Sequence, residues 1–357
     1  MNLAARTWRK VHTRTVPAGV LAMDVHPDGK TAYVACMDKG VWAVPIAGGD
    51  PRPIARHGSW ASGVRYVPVL DRIVSAAYDG TLIWSRPDGT TERTVQAHAF
   101  WSWRMRVSPD GKVVGSATGQ YLAGGEKYEP RKGSEPGVRL LDAATGQPLR
   151  DFEMGPPVQS IAFSPDSRHV AAANLMGDIR VWEIATGKCL ADWRTPDFTC
   201  WGIIKSHHYI GGIYDLMFSA DGRELMACGM GPMVDPMAGD GVQLWQRYAW
   251  TEPSAPRVAR IRESDAGGGL MESLAGHPGS GVFAMAGRLV KGKWNAALFD
   301  TATGALCDQA DTKFRITDAR WIDGGAKLVF AGLHTQSSKR VDGKFPDYGH
   351  MAVFELV

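Results

Sequence analysis

Few residues in this sequence have the types and the spacing that catalysis or metal binding requires. The adjacent His207 and His208 would point to opposite sides of an extended segment, so they cannot both bind one metal ion. His98 and His277 precede or form turns, which predicts hydrogen-bonding roles rather than general-base chemistry. The sequence has no G-x-S-x-G, P-loop or H-E-x-x-H motif. We therefore predict no catalytic residue, no metal site and no cofactor.

A second set of residues has the chemistry of protein recognition. Aromatic, methionine and arginine side chains are enriched at the centres of protein interfaces. The candidates lie in or near four long segments at 119–136, 193–212, 229–240 and 333–349. They are Trp101, Trp103, Tyr121, Tyr128, Trp201, His207, His208, Tyr209, Met230, Arg340 and Phe345. The alternative interpretation is that each aromatic side chain packs a small core beneath its own loop.

The elements that must position these residues are short strands in a repeated pattern. One five-residue phrase recurs seven times, with a small or polar residue first and two apolar residues last. The copies end at residues 44, 84, 141, 182, 245, 299 and 354, and include GTLIW, DIRVW and GVQLW. Upstream of most copies, an apolar run such as TAYVAC or KLVFAG predicts another strand. Each repeat therefore contains several strands.

Turn signatures separate the strands of each repeat. MDVHPDG, MRVSPDG and LMFSADG each end an alternating apolar run with residues that suit a tight turn. A second signature, D-A-A-T-G at 142–146 and D-T-A-T-G at 300–304, follows the phrase. Each unit therefore has four antiparallel strands, and such units repeating at about 40 residues or more predict a β-propeller.

The S-P-D-G turns, the tryptophans Trp84, Trp182 and Trp245, and the D-x-x-T-G turns resemble those of the WD-repeat family, in a divergent bacterial-type form. The resemblance covers nearly the whole chain and implies an all-β, seven-bladed propeller in one domain, 1–357. The family's His, Ser, Asp and Trp tetrad has candidates only in the second blade: His57, Ser75, Asp79 and Trp84.

The last phrase is followed by no fourth strand, so one edge of the seventh blade would be unpaired. The segment Thr7 to His12 has no other assignment and is expected to pair with Met351 to Val357. This pairing would close the ring and remove the exposed edge. In a four-stranded meander, the four long segments would all emerge on one face, which predicts a partner-binding face there.

An alternative is a small-ligand or metal-dependent enzyme, a lactonase-like hydrolase working at the channel mouth. Such a site would need carboxylates that converge there, for which Glu126, Asp235 and Asp347 are candidates. The quinone-dependent propeller enzymes place tryptophan four residues after the D-x-x-T-G glycine, and Arg150 and Asp308 occupy those positions here. We therefore favour a non-catalytic scaffold that binds a protein or peptide, as part of a larger assembly.

Aligning the innermost strands on their turns places Asp24, Arg65, Arg106 and Arg320 at one equivalent position. In a closed ring, Asp24 would be flanked by Arg320 and Arg65. Two interpretations are open for this channel charge layer. Asp24 neutralises a neighbouring arginine and locks two blades together, or the surplus of arginine forms a positive collar that holds an anion.

Bulk composition narrows the environment and the partners. The 357 residues carry a formal charge of +3, from 40 basic and 37 acidic residues, which gives little attraction for nucleic acid or an anionic membrane. Five scattered cysteines with no C-x-x-C pair suggest a reducing compartment. No apolar run approaches the length of a membrane span. We expect a cytoplasmic protein without nucleic-acid or membrane partners.

Overall fold

The computed structural model describes residues 7–120, 123–124, 129–130, 133–201, 209–235, 240–334 and 349–357. The fold of these residues is all-β. Their only helices are two 3-10 turns of three residues each, Pro196–Phe198 and Asp323–Gly325. None of the described helices has the length and hydropathy to cross a membrane.

The strands of the first half follow in chain order. Strands β1 to β5 are Trp8–Val16, Val20–Val25, Thr31–Cys36, Gly40–Pro45 and Arg52–Arg56. Strands β6 to β9 are Ala61–Val67, Arg72–Ala77, Thr81–Ser85 and Thr91–Gln96. Strands β10 to β15 are Ser102–Val107, Val113–Thr118, Ala123–Gly124, Glu129–Pro130, Val138–Asp142 and Pro148–Phe152. Strands β16 to β19 are Val158–Phe163, His169–Asn174, Asp178–Glu183 and Cys189–Arg194.

The strands of the second half are longer in two of the repeats. Strands β20 to β24 are Thr199–Trp201, Tyr209–Phe218, Leu225–Asp235, Asp240–Tyr248 and Arg257–Arg260. Strands β25 to β28 are Gly268–Gly276, Val282–Lys291, Ala296–Asp300 and Leu306–Ala310. Strands β29 to β31 are Arg315–Ile322, Lys327–Leu333 and Gly349–Leu356. Residues 229–235, expected in a loop, continue β22, so the connection between β22 and β23 is shorter than the sequence suggested.

The strands form antiparallel sheets in sequence order. Five sheets have four strands: β2–β5, β6–β9, β10-β11-β14-β15, β16–β19, and β29–β31 with β1. The strands β20–β28 form one nine-stranded sheet, whose two halves are joined by a single residue pair, Val242 and Gly268. We number the seven four-stranded groups that result as units 1 to 7: β2–β5, β6–β9, β10-β11-β14-β15, β16–β19, β21–β24, β25–β28, and β29–β31 with β1.

The repeated sequence signatures explain the local structure. Each phrase lies in the third strand of its unit, from GVWAV in β4 to HMAVF in β31. The turn after the first strand needs a left-handed residue, which Gly29, Gly111 and Gly222 supply with φ of 69°, 71° and 72°. Ser167 takes the corresponding place in unit 4 with φ of 60°.

A β-bulge recurs at one aligned position in the first strand of all seven units. The register against the second strand shifts there by one residue in each case. The extra residues are Leu21, Ser62, Trp103, Gln159, Tyr214, Glu272 and Thr317. A bulge bends its strand and redirects a side chain. It thereby aims Trp103 and Tyr214 differently from their neighbours on the same strands.

The hydrophobic core lies between units that are consecutive in sequence. Separate clusters of buried side chains join units 1 and 2, units 2 and 3, units 3 and 4, units 4 to 6, and units 6 and 7. A further cluster joins unit 7 with unit 1 through Met23, Val34, Val329 and Val353. First strands of consecutive units also touch one another, as do β29 and β2.

Strand β1 lies along β31 as the outermost strand of unit 7. Pairing extends from Trp8 with Leu356 to Val16 with Gly349, which is longer than the expected segment Thr7 to His12. Trp8 is buried and packs edge-on against Phe330 at 5.7 Å between ring centroids. The backbone N–H of Trp8 donates to Asp308 in unit 6 at 2.8 Å. The strand therefore contributes both a paired edge and core packing.

Candidate functional site

The loop ends of units 2 and 3 carry a group of aromatic side chains. Trp60 directly precedes β6, Tyr78 directly follows the antiparallel β7, and Trp101 directly precedes β10. All three therefore lie at one end of their sheets, which we call the loop face. Phe100 and Trp103 complete what we call the aromatic cluster, defined as Trp60, Tyr78, Phe100, Trp101 and Trp103.

The rings of the aromatic cluster contact one another, and most of these contacts are stacked. Tyr78 stacks on Trp101 at 4.8 Å and on Trp103 at 5.6 Å between ring centroids. Phe100 stacks on Trp101 at 4.9 Å, and Trp60 lies tilted 6.1 Å from Tyr78. Stacked aromatic pairs stabilise a structure beyond what the burial of their apolar area contributes, and they restrict one another's side-chain conformations. The cluster is therefore a preformed surface.

Two tryptophans of the aromatic cluster face solvent. Trp60 is 40% exposed and Trp101 is 39% exposed, whereas Tyr78 and Trp103 are half-buried. Burial raises the pKa of the Tyr78 hydroxyl to about 12, although the positive charges of Arg104 and Arg315 act in the opposite direction. Tyr78 is therefore neutral at physiological pH.

Two carboxylates hold the segments that carry Trp60 and Trp101. Asp79 accepts hydrogen bonds from the backbone N–H groups of Gly58 at 2.7 Å and Ser59 at 3.1 Å. Glu135 accepts from Ala99 at 2.8 Å and Phe100 at 3.1 Å. Charged acceptors of backbone N–H groups make strong hydrogen bonds. Each exposed tryptophan is thus preceded by an anchored backbone.

A histidine lies behind each of these anchors. His57 contacts Ser75 at 2.8 Å through Nε2 and Thr81 at 3.0 Å through Nδ1, and Thr81 donates to Asp79 at 2.6 Å. Burial lowers the pKa of His57 to about 4, with Asp79 opposing the shift. Of the tetrad candidates, Trp84 does not join this chain, because its Nε1–H donates to the carbonyl of Ala143 at 2.7 Å.

Unit 3 repeats the arrangement with a different acid. His98 contacts Ser116 at 2.9 Å through Nε2, and its Nδ1 lies 3.5 Å from Glu135. Burial alone would raise the pKa of the Glu135 carboxyl, but His98 and the N–H groups of Ala99 and Phe100 lower it to about 2. Glu135 was not predicted as an anchor, because it lies in an insertion rather than in a tight turn.

Replacing Glu135 should loosen the Phe100 and Trp101 segment. We expect Glu135→Gln to lower the free energy of unfolding by about 1–3 kcal/mol, because two backbone N–H groups lose a charged acceptor. The folded-state pKa of Glu135 is below its ordinary value of 4.5. Its stabilisation is therefore present above pH 4.5 and is lost as the pH falls towards about 2.

Urea denaturation of wild type and Glu135→Gln between pH 7 and pH 2 measures both effects. The difference in free energy of unfolding should shrink as the pH falls through this range. Glu92→Gln is the control, because Glu92 forms exposed ion pairs with Arg72 and Arg86 and its loss should cost less than about 1 kcal/mol. A difference that stays constant with pH would show that Glu135 does not anchor the segment as a carboxylate.

A cavity opens on the loop face beside the aromatic cluster. Its volume is about 540 Å³, and its lining includes Trp60 and Tyr78 from unit 2 and Phe314, Arg315 and His334 from unit 7. Arg315 makes a bidentate ion pair with Glu272, with distances of 2.6 and 2.8 Å. The cavity therefore combines aromatic walls with polar groups that are fixed in position.

The four residues of the channel charge layer all take part in ion pairs, which form two groups: Arg320 joins Asp24 and Arg65 through Asp318, and Arg106 pairs separately with Asp215. Asp24 accepts from Arg320 Nε at 3.2 Å and from the backbone N–H of Tyr66 at 2.9 Å. Arg65 donates to the carbonyl of Met23 at 2.8 Å, and burial lowers the pKa of its guanidinium to about 9, with Arg106 and Arg320 adding to the shift. Asp24 thus contacts Arg320, one of its two predicted neighbours, and accepts a backbone hydrogen bond from unit 2.

Two acids that the alignment did not place in the channel charge layer pair with its arginines. Asp318 accepts from Arg320 at 2.6 Å and lies 3.5 Å from Arg65, while Asp215 accepts from Arg106 at 2.8 Å. Both acids occupy the same aligned position, two residues before the layer. Each also accepts a backbone N–H of the following unit: Asp215 from Leu274 at 2.9 Å and Asp318 from Met23 at 3.1 Å.

The other residues that the sequence predicts for partner binding lie outside the aromatic cluster or outside the described residues. Met230 is buried, so it contributes to packing under the loop face and offers little surface to a partner. The backbones of Trp201 and Tyr209 pair with each other between β20 and β21. Outside the described residues lie Tyr121, Tyr128, His207, His208, Arg340 and Phe345.

Of the carboxylates considered for an enzyme site, one lies in the described part of the chain. Glu126 and Asp347 lie outside it, and Asp235 ends β22. Across the residues with described side chains, no group of three or more His, Cys, Asp or Glu residues could hold a metal ion.

Comparison with known proteins identifies a repeat family in the middle of the chain. Residues 146–183 match the family described as WD domain, G-beta repeat, and they span β15 to β18. The small ribosomal subunit protein RACK1y of Oryza sativa subsp. japonica is 26% identical over 184 residues, which cover 50% of this chain and 48% of that protein. Neither match is to a protein described as an enzyme. The chain thus contains a WD repeat within an all-β, propeller-like repeat fold.

Proposed function

We propose that this chain is a single seven-bladed β-propeller, closed by β1, that acts as a non-catalytic scaffold for a protein partner. Several observations support the ring. The bulge recurs in seven first strands, core clusters join consecutive units, and one further cluster joins unit 7 with unit 1. The pairing of β1 with β31 supplies the last blade with its fourth strand.

The observation that carries the proposed function is the aromatic cluster on the loop face. Tryptophan is the residue most enriched at energetically dominant interface positions. Here two exposed tryptophans, Trp60 and Trp101, both contact Tyr78, and each follows a backbone segment anchored by a carboxylate. Because the surface is already ordered, a partner that binds it loses little conformational entropy from this side of the interface.

The adjoining cavity makes the same surface concave. A partner segment that covers Trp60 and Trp101 would extend over the 540 Å³ cavity, where Phe314 and Arg315 present apolar and charged contacts. Interfaces combine such an apolar centre with a polar surround. The loop face is therefore suited to a peptide or protein segment with both apolar and polar side chains.

We propose further that the chain works as a subunit of a larger assembly. The rice relative is described as a small ribosomal subunit protein, and the region of similarity covers about half of each chain. A rigid ring that holds loops from distant parts of the sequence at fixed separations suits the role of a connecting subunit.

The scaffold proposal predicts that exposed tryptophans matter for binding and little for stability. We expect Trp60→Ala and Trp101→Ala each to weaken the affinity for a partner purified with the native protein by about 30-fold or more. The melting temperature should change by less than about 3 °C, because both side chains are already partly exposed. Titration calorimetry with the isolated partner measures the affinity.

Val69→Ala is the matched control, since Val69 is an apolar side chain with 68% exposure at the other end of β6. The seven residues of β6 separate it from Trp60 by about 20 Å. The control should bind the partner as wild type does. Unchanged binding by both tryptophan variants would exclude the aromatic cluster as the binding surface.

A further inference from the structure

A second cavity opens at the opposite end of the sheets, between units 3, 4 and 5. We call this end the hairpin face, because the turns that follow the first strands lie there. The cavity has a volume of about 430 Å³. Arg106 is the charged residue in its lining, and the rest is apolar, including Val107, Ala162, Phe163, Met217 and Phe218. The site is separate from the loop face and does not depend on the proposed scaffold function.

The aligned sequence explains why this cavity exists. At the position of the channel charge layer, units 1, 2, 3 and 7 carry charged residues, whereas units 4, 5 and 6 carry Ala162, Met217 and Ala275. Arg106 is therefore the last arginine before the layer becomes apolar. The neighbouring Ala162 is too small to fill the space beside it, which leaves an apolar hollow next to a guanidinium.

The charges of the channel do not balance. Ion pairs connect four guanidinium groups, those of Arg65, Arg106, Arg315 and Arg320, with four carboxylates, those of Asp24, Asp215, Asp318 and Glu272. Arg104 donates instead to the backbone carbonyls of Tyr214 and Glu272, and its positive charge acts on Arg106. Within the described part of the chain, this network of nine groups thus carries one surplus positive charge. A buried charge without a counter-charge is costly, so an anion bound from solution would stabilise the channel.

Arg106 is the arginine of this network that an anion can approach through the cavity. Its side chain keeps 15% of its surface exposed. Two described bonds, to Asp215 at 2.8 Å and to the carbonyl of Met105 at 3.2 Å, use two of the five N–H donors of a guanidinium. Asp215 also accepts the backbone N–H of Leu274, so its charge is shared between two donors.

We propose that this cavity binds a small aliphatic monocarboxylate. Arg106 pairs with the carboxylate, as guanidinium groups do with planar anions, and the hydrocarbon chain lies against Phe163 and Met217. The volume is within the range of small-ligand sites, and a mostly apolar wall with one charged group is typical of such sites. The carboxylate supplies the negative charge that the network lacks.

Titration calorimetry of the purified protein with hexanoate tests the proposal. We expect saturable binding of one hexanoate per chain. Affinity should fall at least tenfold for hexanamide, which has the same chain without the charge. It should fall by a similar factor in Ala162→Leu, which fills the cavity but leaves every charge in place, and in Arg106→Gln.

Controls separate this site from unspecific effects. Ala144→Leu places the same larger side chain in an exposed turn and should bind hexanoate as wild type does. Melting curves of all variants show that the proteins tested are folded. Equal affinity of wild type and Ala162→Leu, or no saturable binding by the folded wild type, would overturn the proposal. Binding of a capped glutamate peptide in preference to hexanoate would also overturn it, because the carboxylate would then come from a protein.

Discussion

Asp318→Asn should lower the free energy of unfolding by about 3–5 kcal/mol, the cost of removing one partner from a buried ion pair. Asp318 is 1% exposed, accepts from Arg320 at 2.6 Å and lies near Arg65. It also accepts the backbone N–H of Met23 in unit 1. The substitution leaves the positive charges of Arg65 and Arg320 without their shared carboxylate.

The pKa of Asp318 gives the pH dependence of this effect. Burial would raise the pKa of the carboxyl, but Arg320 and Arg65 hold it well below its ordinary value. The folded-state pKa is therefore depressed, and the stabilisation persists at every pH above the ordinary range of an aspartate. The difference between wild type and Asp318→Asn should decrease only in strongly acidic solution.

Urea denaturation at neutral pH measures the loss, with Asp192→Asn as the control. Asp192 forms an ion pair with Arg180 at 3.0 Å, but its side chain is 52% exposed. Removing that exposed pair should cost less than about 1 kcal/mol. A similarly small loss for Asp318→Asn would show that the network does not hold units 7, 1 and 2 together.

Deleting residues 1–16 should have the second large effect. The deletion removes β1, exposes the paired edge of β31 along its length, and removes the packing of Trp8 on Phe330 and Phe354. Because unpaired edges promote association, we expect a strongly lowered melting temperature together with aggregation. Circular dichroism and size-exclusion chromatography measure the two outcomes.

A single substitution keeps this prediction testable if the deletion variant does not fold. Trp8→Ala should cost about 3–5 kcal/mol, as large-to-small changes of buried aromatic residues do. Val11→Ala, on the same strand but 47% exposed, should cost less than about 0.5 kcal/mol. If the deletion and Trp8→Ala both left stability unchanged, β1 would not close the last unit.

The strands were predictable because their signals are local. The phrase DIRVW alternates within five residues and lies in β18, and TAYVAC is β3 in full. The types of the turn residues likewise predict the backbone conformation, and Gly29 and Gly111 have the expected positive φ. Patterns of this kind need no knowledge of neighbouring units.

The partners of the buried charges were less predictable. Asp24 was expected beside Arg65 and Arg320, and it contacts Arg320 directly. Asp215 and Asp318 were missed, although they share an aligned position, because their hydrogen bonds reach Leu274 and Met23 in other units. The alignment gives the equivalent positions, but it does not predict which side chains are long enough to contact one another between units.

The candidate site was only partly foreseen. Trp101 and Trp103 were singled out, whereas Trp60 and Tyr78 were not, although Trp60 precedes β6 as Trp101 precedes β10. A residue-by-residue alignment of units 2 and 3 would have identified Trp60. Glu135 could not be found in that way, because an insertion breaks the alignment before it, and only the fold brings it to Ala99 and Phe100.

We propose that the aromatic cluster on the loop face binds a protein partner. Photo-crosslinking in the native host tests it most directly, with the photoreactive residue benzoylphenylalanine in place of Trp101 in one variant and of Val69 in another. Each variant carries its probe at one end of a unit, so the two report on opposite faces. We predict one discrete crosslinked protein from position 101 and none from position 69. The same product from both positions, or a product only from position 69, would show that the partner does not bind at the aromatic cluster.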